Sequence, residues 1–311
     1  MTVVGAIFSP YPNPPESFRA AVAAAEDAGL AELWIWEDCF RESAFAAASA
    51  ALAWTERLRV GIGIAPMPLR NVAVTAMEIA TIERMFPGRL LPGVGHGVLR
   101  WMGQAGARVA SPLTLMREYV PALRRLLAGD EVTVAGRYVN LDRVRLDWPP
   151  ETAPRVYAAA EGPKTLALCG EVADGAVFVS EHTPAEVGAA VAAVRAGREA
   201  SGQGGMPEIV AYVDATFGTD AGGSDRMPAG RTGCRPALSR RSPPACDASR
   251  TSAWTASSCC HRPTLRCRTT IATRLPWAGS RAAPHDPGRR AGRSIRLRRP
   301  GADRSPSRRR I

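Results

Sequence analysis

Apolar runs of four to seven residues alternate with Ala-rich amphipathic stretches from Val3 to Val213. The runs at 3–8, 33–36, 58–64, 90–94, 156–159, 176–179 and 209–213 predict seven strands. Helical periodicity predicts helices over 15–28, 44–53, 72–86 and 112–127, and one beginning at Pro163. Gly29 supplies the left-handed residue that ends the first helix, and Pro87-Gly88 ends the third. Thr183-Pro184-Ala185-Glu186 is a capping box with Pro at the first helical position, opening a helix to about Ala200. Residues 132–134 and 137–139, joined through Ala135-Gly136, predict a small hairpin before the fifth strand.

Strands alternating with helices imply a parallel sheet with right-handed crossovers. Continuous apolar strands suit burial on both faces. The first strand is not followed by a Gly-x-Gly-x-x-Gly loop, which argues against an open dinucleotide-binding sheet. The expectation is an α/β chain forming a (β/α)8 TIM-type barrel. Such a barrel takes about 250 residues, whereas the pattern stops near residue 221. The barrel is therefore expected to lack its last βα unit and to leave an open sheet edge.

Charge marks the same boundary. The 311-residue chain has a formal net charge of +11. Residues 1–221 hold 19 basic and 25 acidic residues, and residues 222–311 hold 21 and 4. The second segment has no Val, Glu, Lys, Phe, Tyr, Asn or Gln and holds five of the seven cysteines. Two regions follow: a barrel domain over 1–221 and a non-globular, basic Arg/Pro/Ser-rich tail over 222–311. Three readings account for the tail. The first is a shifted reading frame of a GC-rich gene. The second is a disordered arm whose Arg289-Arg290, Arg298-Arg299 and Arg308-Arg309-Arg310 contact nucleic acid phosphates. The third is a metal or disulfide module on Cys234, Cys246, Cys259, Cys260, His261 and Cys267, whose spacing matches no paired Cys-x-x-Cys pattern. Composition favours the first, since 39 Arg against one Lys fits GC-rich coding. The nucleotide sequence across codons 219–225 decides it.

Residues 1–221 contain no charge-free run long enough to span a bilayer and no signal-peptide pattern, so a cytoplasmic protein with no membrane partner is expected.

A barrel of this type carries its site at the C-terminal strand ends. After the second strand come Glu37, Asp38 and Cys39, with alternation turning Glu37 and Asp38 to opposite faces. After the third come Gly61-Ile62-Gly63-Ile64, where glycine allows close approach of a flat ligand. After the fourth comes Gly95-His96-Gly97. After the fifth come Glu161-Gly162-Pro163-Lys164, with Lys164 in the first turn of a helix that could hold a phosphate. After the sixth come Ser180, Glu181 and His182. Each has a plainer alternative as a cap, turn former, surface charge or backbone partner. No metal-ligand spacing is present.

These strand ends resemble the bacterial luciferase-like superfamily of flavin- and deazaflavin-dependent oxidoreductases. The carrying stretches are Ala25-Glu26-Asp27-Ala28-Gly29-Leu30, residues 33–40 and 57–65, Phe86-Pro87-Gly88-Arg89-Leu90, Gly93-Val94-Gly95-His96-Gly97, and Gly162-Pro163-Lys164-Thr165-Leu166 running to Ala173-Asp174-Gly175. The resemblance implies a barrel whose mouth binds coenzyme F-420 or FMN. It implies Asp38 near the cofactor ring, a bulge with a non-prolyl cis peptide at Gly63-Ile64 behind it, Gly95, His96 and Gly97 along its border, and Gly162 with Ser180 near its phosphate. His96, Cys39 and Glu37 are the candidate proton donors. Cys39 stands where deazaflavin dehydrogenases often have His, and Glu161 where a second Gly often stands. The implied activity is hydride transfer between coenzyme F-420 (or FMN) and a small organic substrate. The alternatives are an FMN-dependent monooxygenase served by a partner flavin reductase and, from another class, a nucleic-acid-binding protein acting through the tail. A homodimer is the further implied partner.

Overall fold

The computed structural model describes residues 3–178, 183–217 and 267–275, all within one compact unit, Met1–Trp277. Ser180, Glu181, His182, the Arg clusters and every tail cysteine except the backbone of Cys267 lie outside the described residues.

The strands in chain order are β1 (Val3–Ile7), β2 (Glu32–Ile35), β3 (Arg59–Pro66), β4 (Leu90–Gly95), β5 (Val132–Ala135), β6 (Asn140–Val144), β7 (Tyr157–Ala159), β8 (Gly175–Phe178), β9 (Glu208–Phe217) and β10 (Cys267–Leu275). The α-helices are α1 (Phe18–Asp27), α2 (Ala44–Ala53), α3 (Val72–Met85), α4 (Leu99–Gln104), α5 (Pro112–Leu127), α6 (Pro163–Val172) and α7 (Pro184–Ala200). The seven predicted strands, β1, β2, β3, β4, β7, β8 and β9, pair in parallel in that order and curl into the TIM-type fold.

The expected open edge is corrected. β10 runs antiparallel to both β9 and β1 and completes the ring. Ladder hydrogen bonds use backbone N–H and C=O groups, so an unpaired edge accepts an extended segment of almost any sequence. Thr269, Thr270, Ile271 and Thr273 are β-branched residues, which extended backbone accommodates.

Three local features differ from the sequence reading, the first through a side chain. The second strand of the hairpin begins at Asn140 rather than Arg137, because Glu118 on α5 accepts the N–H groups of Arg137, Tyr138 and Val139 at 2.8–3.0 Å. The first helix opens with a 3-10 turn, Pro15–Ser17, and Gly29 then caps it at φ 69°. The short helix α4 has no signature in the sequence. The Thr183–Glu186 capping box is formed in both directions.

Alternation on β2 turns Leu33 and Ile35 outward to the helices and Trp34 inward. Trp34, Leu91, Tyr157, Ala159, Val177, Val210 and Tyr212 fill the barrel interior, with Trp34 edge-on to Tyr157 at 5.9 Å. The N-terminal ends of the strands are tied by carboxylates that accept backbone N–H groups. Glu26 holds Glu56, Arg57 and Leu58; Glu83 holds Gly88 and Leu90; Asp174 holds Val156. That end is built for stability, which leaves the opposite end for chemistry. Among the described residues no helix is long and apolar enough to cross a membrane, and no cluster of His, Cys, Asp and Glu could hold a metal ion.

Candidate active site

A cavity of about 810 Å³ opens at the C-terminal ends of β2, β3, β4 and β7. Its floor is the end of β3. The register of β3 on β4 shifts between Ile62 and Ala65, and a cis peptide joins Gly63 to Ile64. Beneath it, the Tyr212 phenol donates to the Gly63 carbonyl at 3.2 Å. A Cβ on Gly63 would sit 2.0 Å from that phenol oxygen, so only glycine lets the backbone lie flat on the ring layer.

His96 borders the cavity just past β4. Both its ring nitrogens are buried and without a hydrogen-bond partner among the described residues. Burial lowers its pKa, so the imidazole is neutral near pH 7, with one nitrogen a donor and the other an acceptor. Buried polar atoms in proteins are nearly always paired, which makes this ring a candidate for contact with a molecule in the cavity. Gly97 follows at φ 67°, and its Cβ would come within 3.0 Å of Met102 and Pro66.

Asp38 also lines the cavity. Its Oδ2 accepts the Tyr11 phenol at 2.6 Å, and the Arg41 guanidinium stacks 4.1 Å from the centre of the Tyr11 ring. Burial, and then the hydrogen bond and charge of Asp38, push the Tyr11 pKa up to about 12.

Glu37 also borders the cavity, where β2 has ended at Ile35 and its alternation no longer applies. The Glu37 carboxylate is nevertheless engaged elsewhere. Arg70 forks onto both its oxygens, one pair at 2.9 Å, and the Ala44 N–H donates to Oε2 at 3.0 Å. Arg70 in turn meets Glu78 at 3.2 Å. Glu37 thus braces the β2 end against α2 and α3.

The remaining candidates sit differently. Cys39 is half-buried beside the cavity without lining it, and burial, then Glu37 and Asp38, raise its thiol pKa. The thiol is protonated at neutral pH. Gly95 is buried behind Ile64, whose side chain its Cβ would meet at 2.9 Å. Gly162, the N-cap of α6, lines the cavity with Thr165. Lys164 is exposed on α6 and outside the lining. The structure thus brings Glu37, Asp38, Gly63, Ile64, His96, Gly97 and Gly162 to one cavity, and leaves Cys39, Gly95 and Lys164 at its margin.

Lining residues the sequence reading passed over are Tyr11, Trp36, Val98, Leu99, Arg100 and Tyr212. Tyr11 follows β1 in a loop where residues 8–15 hold no glycine and no charged side chain to mark it. Val98, Leu99 and Arg100 arrive with the unforeseen α4. Tyr212 is an inward position of β9, and nothing but the barrel's closure brings it to Gly63.

The arrangement has counterparts. Over 198 residues the chain is 28% identical to 5,10-methylenetetrahydromethanopterin reductase of Methanolobus tindarius, covering 63% of this chain and 60% of that protein. It is 32% identical over 196 residues to the F420-dependent glucose-6-phosphate dehydrogenase of Kineococcus radiotolerans, covering 58% and 57%. It thus spans about half to three-fifths of the length of such curated relatives. The fold is similar to the coenzyme F420 dependent tetrahydromethanopterin reductase of Methanopyrus kandleri, with a TM-score of 0.58 at 24% identity over 64% of this chain and 61% of that one. It is similar also to an F420-dependent secondary alcohol dehydrogenase in complex with an F420-acetone adduct, with a TM-score of 0.56 at 25% identity over 64% of each chain. The family model of the luciferase-like monooxygenases matches residues 2–221, which include every described residue of this cavity, and the chain belongs to that family.

Proposed function

We propose that this chain is an oxidoreductase that transfers hydride between coenzyme F-420 and a small organic substrate, both held in the C-terminal cavity. The observation that carries the reading is His96, with two buried, unpartnered ring nitrogens beside the flat Gly63-Ile64 floor. The site fits a planar cofactor. Gly63 and Gly97 present bare backbone to the cavity, and Trp36, Ile64 and Ala159 add apolar walls. Bound there, the cofactor supplies the ring carbon that gives or accepts hydride, while the protein supplies placement and electrostatics. Asp38, the Gly63-Ile64 backbone and Gly97 would hold the ring, and Gly162 with Thr165 would hold its phosphate side. Ile64 and Trp36 exclude water. His96, neutral at rest, gives or takes the accompanying proton at a ring nitrogen. The F420-dependent relatives support coenzyme F-420 over FMN.

The second reading, an FMN-dependent monooxygenase served by a flavin reductase, is favoured by the description of the matching family. Titration of the purified full chain with coenzyme F-420 and with FMN, followed by fluorescence, separates the two. Saturable F-420 binding that His96→Ala does not abolish, with turnover lost in that variant, supports hydride transfer. Binding of FMN alone supports the second reading, and binding of neither sinks both.

A further inference from the structure

The loop after β1 and the loop after β2 are locked together over the cavity wall by a group of contacts that the hydride-transfer reading does not use. The Tyr11 phenol donates to Asp38 Oδ2 at 2.6 Å, a length in the range of charge-assisted O–H···O bonds. Arg41 stacks on the Tyr11 ring at 4.1 Å, its Nη1 donates to the Pro10 carbonyl at 3.3 Å, and its backbone N–H donates to the Asp38 carbonyl at 2.9 Å. Asn13 Nδ2 closes the first loop on the Ser9 carbonyl at 3.0 Å. Tyr11 and Asp38 both line the cavity. The second carboxylate oxygen of Asp38, Oδ1, accepts no hydrogen bond among the described residues.

We propose that Tyr11 is a positioning residue: its phenol holds Asp38 Oδ2, so that Oδ1 is presented to an N–H or O–H donor of the molecule in the cavity. A carboxylate rotates freely about its last torsion unless one oxygen is fixed. Tyr11 fixes it, and Arg41 fixes Tyr11. The raised phenol pKa keeps Tyr11 a donor across the working pH range. The group selected at this wall is a neutral or cationic hydrogen-bond donor, such as an amide or imide N–H or a hydroxyl. An anionic group is disfavoured next to Asp38, whose own carboxylate would repel it. The identity of the ligand rests on the proposed function; the Tyr11–Asp38 coupling does not.

The test is a double-mutant cycle on the full chain: Tyr11→Phe, Asp38→Asn and both together, with coenzyme F-420 and FMN as probes. Tyr11 is half exposed, so Tyr11→Phe is expected to leave the melting temperature unchanged. It is expected to weaken binding of the accepted probe about tenfold, the scale of one hydrogen bond to a charged group. In the Asp38→Asn background the same change is expected to do nothing further. Losses that multiply in the double variant, or an unchanged affinity in Tyr11→Phe, overturn the proposal. If the wild type binds neither probe, the proposed function fails separately. The coupling is then read without ligand from the 13Cζ resonance of Tyr11, assigned by its loss in Tyr11→Phe. Asp38→Asn is expected to move that resonance and to lower the phenol pKa from about 12 by removing the Asp38 hydrogen bond and charge, while burial still holds it up. A resonance that stays put overturns the coupling.

Discussion

The phenol oxygen of Tyr212 lies 3.2 Å from the carbonyl oxygen of Gly63 and donates to it, across 149 residues of sequence. It ties β9 to the bulge in β3 and so sets the floor of the cavity. Gly63→Ala would place its Cβ 2.0 Å from the phenol oxygen. We expect a loss of about 1–3 kcal/mol by urea denaturation, the range for overpacking a closed core. Tyr212→Phe should cost about 1 kcal/mol through the lost hydrogen bond. The double variant should cost less than the two together, because removing the hydroxyl leaves the ring carbon Cζ at 3.2 Å as the nearest Tyr212 atom. Strictly additive losses would show that the two groups do not meet.

Arg70 holds Glu37 and Glu78 together at the rim of the cavity. Burial raises the Glu78 pKa, and Arg70 opposes that rise. Arg70→Ala is expected to destabilise the chain by about 3 kcal/mol at pH 7, since it leaves partly buried carboxylates without their cation. Without Arg70 the folded-state pKa of Glu78 moves further above its unfolded value. Protonation then restores stability as pH falls, so the loss should be smaller at pH 5.5 than at pH 7. Denaturation curves at the two pH values check the sign.

His96 gives a pH signature of its own. Burial depresses its folded pKa below the unfolded value near 6.5. The unfolded imidazole therefore binds a proton first as pH falls, and stability declines below about pH 6.5, by at most about 1.4 kcal/mol per pH unit from this one group. His96→Gln should lack that component, making its stability flatter than the wild type's between pH 7 and pH 5. Parallel curves for the two proteins would place the imidazole in water.

β10 is hydrogen-bonded on both sides, to β9 and to β1. Ala272→Pro removes a backbone N–H at a position registered with Gly5 of β1 on one side and Tyr212 of β9 on the other. We expect at least about 3 kcal/mol of destabilisation, the scale of proline inside regular structure. An unchanged melting temperature would mean that the ring does not depend on this segment.

α3 follows β3 and presents Val74, Met77 and Met85 to solvent on one face. If the chain forms a homodimer through that face, light scattering of the wild type gives twice the chain mass, and Met77→Glu returns it to a monomer. A dimer that survives the charge uses another surface.

Most of the barrel was readable from the sequence. The inward Trp34, the Gly29 stop and the Thr183–Glu186 box depend on period and on local backbone demands, which a linear chain displays. The hairpin register and α4 were not readable. Glu118 lies on α5, and its grip on Arg137, Tyr138 and Val139 appears only when α5 packs on the hairpin. In the cavity, reading the residues past each strand found Asp38, Gly63, His96 and Gly97, because a parallel barrel puts all those ends on one face. It could not tell that Glu37 braces Arg70, that Lys164 faces solvent, or that Tyr11 meets Asp38.

The sequence by itself determined the alternation of strands and helices, the family, and the face of the barrel on which the candidate site lies, since each follows from the order of residues along the chain. Only the tertiary structure decided which of those strand-end side chains are already satisfied and which remain without a partner. Glu37 met its cation, Asp38 kept one oxygen unbonded, and His96 kept two buried nitrogens unpaired among the described residues. Hydrogen-bond satisfaction depends on distances between residues far apart in sequence, and those exist only once the sheet has closed.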